Sequence, residues 1–109
     1  MASTKSDIPA WQRAIHEVAK EKGWWDEPRN TGEIIALTHS ELSEALEGAR
    51  AGNPPSDKIK AYSSLEEELA DVVIRILDWA EHDGLDIVGA MEAKLDYNRG
   101  RDYKHGKKF

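Results

Sequence analysis

Four carboxylates carry the first chemical signal in this chain. Ile34, Leu37, Glu41, Glu44 and Gly48 follow a 3-4-3-4 spacing, which on a helix places all five on one strip. The neighbouring strip of Ile35, Leu42, Leu46 and Ala49 is apolar, so the two glutamates stand at the edge of the face to be buried. Glu68 and Asp71 repeat the pattern further along, flanked by Leu65, Leu69 and Val72. A bare carboxylate is costly to bury, so acids in such positions need protons, cations or a metal. If the two helices pack antiparallel through the loop around Asn53 to Ala61, the four acids converge. A hard, all-oxygen donor set without Cys or an obligatory His selects Mg2+, with Mn2+ as a substitute. Cations held this way neutralise phosphate oxygens and lower the pKa of a bound water, and a spare carboxylate can take the proton.

Other inward-acid chemistries fit less well. Paired acids at i,i+3 are common on solvated helices, but here two pairs intrude on apolar stripes of adjacent helices. A di-iron bundle uses Glu-x-x-His, whereas Arg13, Ala36 and Trp79 stand three residues before His16, His39 and His82. No second His follows four residues after His16, so a zincin helix is absent too.

The elements that must position these acids are four helices. The first is expected from Pro9 to Lys22, with Trp11, Ile15, Val18 and Ala19 on one face and Gly23 as its stop. The second runs from Gly32 to Ala51, capped by Asn30 or Thr31, with Glu33 in its positive first turn and the Ala51 to Pro55 segment ending it. The third starts at Ser63 or Ser64, with Ser64 to Glu67 reading as a capping box, and reaches His82 before Asp83-Gly84. Its buried stripe is Leu65, Leu69, Val72, Val73, Ile76, Leu77 and Ala80. The fourth spans Asp86 to Arg99, with Asp86 as cap and Ile87, Val88, Met91 and Leu95 inward. The fold class is therefore all-α with a four-helix core, in a single domain over residues 1–109. Residues 1–8 are expected to form a flexible N-terminus and residues 100–109 a basic C-terminal tail.

Composition narrows the function further. Charged residues make up 33%, above the roughly 25% of an ordinary domain, which suggests helices with solvated outer faces. A net charge of −6 argues against a nucleic-acid polymer as partner, since phosphate backbones need clustered Lys and Arg. The absence of cysteine excludes disulfides and thiolate metal sites and fits the cytoplasm. No apolar segment suits a membrane span or a secretory leader. Because a small helical domain buries a limited fraction of its surface, a homo-oligomer is expected.

Beyond the acids, Gly23-Trp24-Trp25, the run from Ala36 to Glu47, and Lys94-x-x-Tyr97-Asn98-x-x-Arg101 before His105-Gly106 add to the pattern. With Glu41-Leu-Ser-Glu44 and Glu68-Leu-Ala-Asp71, the chain resembles the MazG-like all-α nucleoside triphosphate pyrophosphohydrolases over roughly residues 9–108. The resemblance implies hydrolysis between the α and β phosphates of a (deoxy)nucleoside triphosphate, giving monophosphate and pyrophosphate in a homodimer or homotetramer. It implies Mg2+ on Glu41, Glu44, Glu68 and Asp71, and a catalytic role for Glu41, Glu44 and Glu68, with one of them or Glu67 assisting the water. It also implies phosphate contacts from Lys94, Asn98 and Arg101. The related all-α dUTPases and phosphoribosyl-ATP pyrophosphohydrolases use similar acidic clusters, so the base is open. Trp24 and Trp25 fit base stacking or packing, with packing favoured for at least one. His39 fits a site residue or a polar edge. A non-enzymatic helical interaction module is the alternative of a different class.

Overall fold

The computed structural model describes residues 7–108, apart from the side chain of His105. The chain forms four α-helices: α1 (Ile8–Glu21), α2 (Thr31–Arg50), α3 (Ser64–Asp83) and α4 (Ile87–Arg99). A short 3-10 turn at Tyr103–Gly106 follows them. No strand occurs among the described residues, where Pro55 and Ser63 make an isolated antiparallel bridge. No helix there is long and apolar enough to cross a membrane. Of the expected N-terminal segment, residues 1–6 lie outside the described part, and Ile8 already belongs to α1.

Local chemistry sets the boundaries. Asn30 is extended and its side chain accepts a 2.8 Å bond from the Glu33 amide, satisfying one of the free donors at the start of α2. Asp86 caps α4 in the same way through the Gly89 amide. At the end of α3, Gly84 adopts φ 68°, a conformation that costs glycine nothing, and the chain turns there towards α4.

The α3 capping box lies one residue earlier than the sequence suggests. Ser63 accepts from the Glu66 amide, and Glu66 accepts from the Ser63 amide. Ser64 and Glu67 are unavailable because the loop uses them. Ser64 Oγ donates to the Pro54 carbonyl, and Glu67 accepts from Ser56 Oγ, which is buried.

Packing centres on α3, which lies between α1 and α2. Gly48 approaches Ser64, and Glu41 meets Arg75, so α2 and α3 run antiparallel as expected. Gln12 bonds Glu81 and His16 bonds Asp78, so α1 is antiparallel to α3 as well. The buried apolar residues are Ile34, Ala45, Leu77 and Ala80. Much of the predicted inward stripe is not buried within the protomer: Leu42, Leu46 and Val73 remain 52%, 51% and 53% exposed. Trp11, Val18, Ile35 and Leu69 are exposed too.

The fourth helix departs furthest from expectation. None of its residues is buried; Ile87 and Val88 are half-buried, and Met91 and Leu95 lie open. The chain turns at Gly84, and the extensive helix pairings of the described residues are α2 with α3 and α1 with α3, so α4 is not part of the packed core. The radius of gyration of 16.2 Å exceeds the roughly 13 Å of a compact 100-residue chain.

Candidate functional site

The 3-4-3-4 strip of α2 faces a matching strip of α3. Glu68, Asp71, Arg75 and Asp78 follow a 3-4-3 spacing, so antiparallel packing sets Glu44 near Glu68 and Glu41 near Asp71 and Arg75. One oxygen each from Glu41, Glu44 and Glu68 falls within a mutual 4.8 Å, and the same holds for Glu67, Glu68 and Asp71. Glu68 is common to both groups. All four expected ligands line one cleft of about 440 Å³, bounded by Ile15, Val18, Ala19 and Trp24 on its other side.

Crowding and burial mark two of the acids. Loss of water around Glu68, with the charges of Glu44, Glu67 and Asp71 beside it, raises its pKa above the ordinary carboxylate range. Asp71 is also raised, first by burial and then by Glu41 and Glu67, against the opposing pull of Lys58 and Arg75. Oε2 of Glu68 is buried with no hydrogen-bond partner. A buried acceptor left without a partner costs about 1–3 kcal/mol, more when charged, so this oxygen is suited to a cation or a proton.

Two basic side chains enter the cleft that sequence reading did not assign. Arg75 donates through Nε (2.9 Å) to Oε1 of Glu41 and brings Nη2 within 2.7 Å of the same oxygen as an ion pair, with its guanidinium carbon 5.4 Å from the Trp24 ring centre. Arg75 was within reach of sequence reasoning, since it continues the strip that begins with Glu68 and Asp71. Lys58 Nζ lies 3.8 Å from Oε2 of Glu67, positioned by a loop that folds around Ser56, whose Oγ accepts from the Lys58 and Ile59 amides. No periodicity in the sequence signals that placement.

At the floor of the cleft, Asp78 accepts from Trp25 Nε1 and bonds His16 Nδ1 at 2.7 Å. Trp25 stacks on His82 with centroids 3.9 Å apart. This network joins α1, the 22–30 loop and α3 and sets the cleft wall. Trp25 is thus a packing residue, while Trp24, half exposed, faces the cleft. His39 lies elsewhere, on the apolar groove with Leu42, Leu46, Leu65 and Leu69.

Lys94, Asn98 and Arg101 are not brought to the acids; none of them lines the cleft. Lys94 and Arg101 gather over the Tyr97 ring at 4.8 and 5.6 Å, and Oδ1 of Asn98 is buried without a partner. The cleft itself can hold a hard cation among carboxylates and present Arg75 and Lys58 to an anion bound beside it. Compared with family models, curated proteins and solved structures, the chain shows no match.

Proposed function

We propose that this protein is a Mg2+-dependent nucleoside triphosphate pyrophosphohydrolase of the MazG-like kind, converting a (deoxy)nucleoside triphosphate and water to a monophosphate and pyrophosphate. The observation that carries the reading is the convergence of Glu41, Glu44, Glu68 and Asp71 in one cleft, with a buried, unpartnered oxygen on Glu68. The donors are hard oxygens, which fit Mg2+ or Mn2+. Bound there, the cation supplies charge neutralisation of the phosphate chain and a more acidic water. The chain's own residues do the rest. Glu41, Glu44, Glu68 and Asp71 would hold the cation, and whichever of Glu41, Glu44 and Glu68 keeps a free oxygen would take the water's proton. Glu67 is less free for that task because Ser56 and Lys58 engage it.

A homodimer or homotetramer belongs to the same proposal. Leu42, Leu46, Leu69 and Val73 form an exposed apolar face, and α4 exposes Met91 and Leu95. Surfaces of this kind are buried between copies in helical assemblies. Lys94, Asn98 and Arg101, remote from their own cleft, would then reach phosphates from a neighbouring protomer. Control or sanitising of the cytoplasmic nucleotide pool is the setting such a reaction suits.

The apolar groove also favours a second reading, a helical interaction module without catalysis. The two separate on pyrophosphate release from a panel of canonical and modified (deoxy)nucleoside triphosphates, with Mg2+ and with chelator. Metal-dependent monophosphate and pyrophosphate are expected. Orthophosphate as product, or no turnover across the panel, would sink the pyrophosphohydrolase reading.

A further inference from the structure

Arg75 occupies an unusual place for a cation. It continues the α3 strip of Glu68 and Asp71, and its Nε hydrogen bond and its Nη2 ion-pair contact both fall on a single oxygen of Glu41, leaving Oε2 of that carboxylate outside the pair. Its side chain is 26% exposed and lines the cleft. Lys58, the loop cation there, is 83% exposed and near Glu67, on a stem with far more freedom.

A divalent cation among Glu41, Glu44 and Glu68 would carry more charge than a guanidinium and would compete with it for Glu41. A displaced Arg75 would remain tethered to α3 beside the acids, with the Trp24 face at hand. Its planar fork matches two phosphate oxygens, which the point charge of a lysine does not. We propose that Arg75 is the counter-ion of Glu41 in the cation-free protein and, once a divalent cation occupies the acids, contacts the phosphate chain of the substrate. This inference rests on the pyrophosphohydrolase reading and adds to it a phosphate contact from within the same protomer, where α4 supplies none.

The test is calorimetric and needs no turnover. Mn2+ alone is titrated into the full-length wild type, Arg75→Gln and Arg75→Lys, and then inorganic pyrophosphate is titrated at saturating Mg2+. Removing a competing half-buried cation should tighten Mn2+ binding by roughly threefold in Arg75→Gln. Losing charge-assisted bonds should weaken pyrophosphate binding by at least about tenfold. Arg75→Lys keeps the charge, so it should bind Mn2+ as the wild type does while losing most of the pyrophosphate affinity. A merely structural Arg75 would weaken both ligands together by misplacing Glu41. Any pairing other than tighter Mn2+ with weaker pyrophosphate in Arg75→Gln overturns the role of Arg75. Failure of the wild type to bind Mn2+ is a separate result, which removes the metal site and this inference with it.

Discussion

The two faces of the α2–α3 pair invert the usual rule of exposure. On one, Glu41, Glu68 and Asp71 are half-buried; on the other, Leu42, Leu46, Leu69 and Val73 are open to solvent. A soluble helix pair ordinarily does the reverse. Each face is costly alone: the first crowds like charges in partial burial, and the second leaves apolar surface in water. Under the function proposed above, each would be completed by something outside the protomer, a cation for one and a second copy for the other. Different variants should therefore disable them separately.

The largest effect is expected on the acidic face. Glu68→Gln removes the carboxylate shared by both acid groups. It should lower Mg2+-dependent pyrophosphate release by more than the roughly 10–100-fold that loss of a mere supporting residue costs at a metal site. It should also abolish the rise in Tm expected of the wild type at saturating Mg2+. Wild-type activity in this variant would break the comparison on its acidic side.

The apolar face should answer to a different change. In Leu46→Glu/Leu69→Glu, two charges would have to be desolvated between copies. Sedimentation should then fall from an assembled species to the protomer mass of 12.2 kDa, with Mn2+ still bound. An unchanged sedimentation profile would mean that the exposed leucines serve no assembly.

Asp78 sharpens the contrast by separating stability from chemistry. Asp78→Asn weakens the acceptor shared by His16 and Trp25 and should cost about 1–3 kcal/mol, read from the urea midpoint. Metal affinity should change much less than in Glu68→Gln.

The smallest effect concerns pH. The pKa of Glu68 is raised in the folded chain, so the folded state holds its proton more tightly than the unfolded state does. Its ionisation then destabilises the metal-free protein fully above the raised pKa, and the penalty disappears below the ordinary carboxylate range. Without metal, Glu68→Gln should therefore have a higher Tm than the wild type at neutral pH, with a gap that closes on acidification through that window. A gap that stays constant or widens towards acid would contradict the crowding at Glu68.

Local signals made most of the architecture legible. Asn30, Gly84 and Asp86 act through their own backbone neighbours, and the α1 to α4 boundaries fall within about one residue of the expected ones. The 3-4 spacing also brought Glu41, Glu44, Glu68 and Asp71 together, because antiparallel packing preserves helical strips. Burial was the weaker part. An apolar stripe such as Leu42 and Leu46 states that something covers it, without stating whether the same chain does. The register of the α3 cap depended on the loop capturing Ser64 and Glu67, and Lys58 on the fold of that loop, both tertiary events. Arg75 differs from Lys58: its place four residues after Asp71 is a helical spacing that could have assigned it to the cleft, but it was not singled out in the sequence.

The measurement that bears most directly on the proposed site is anomalous diffraction from crystals of the full chain soaked in Mn2+. The predicted result is a peak between α2 and α3 within coordination distance of Glu41, Glu44, Glu68 and Asp71. Peaks confined to other parts of the surface, with that position empty at saturating Mn2+, would contradict it.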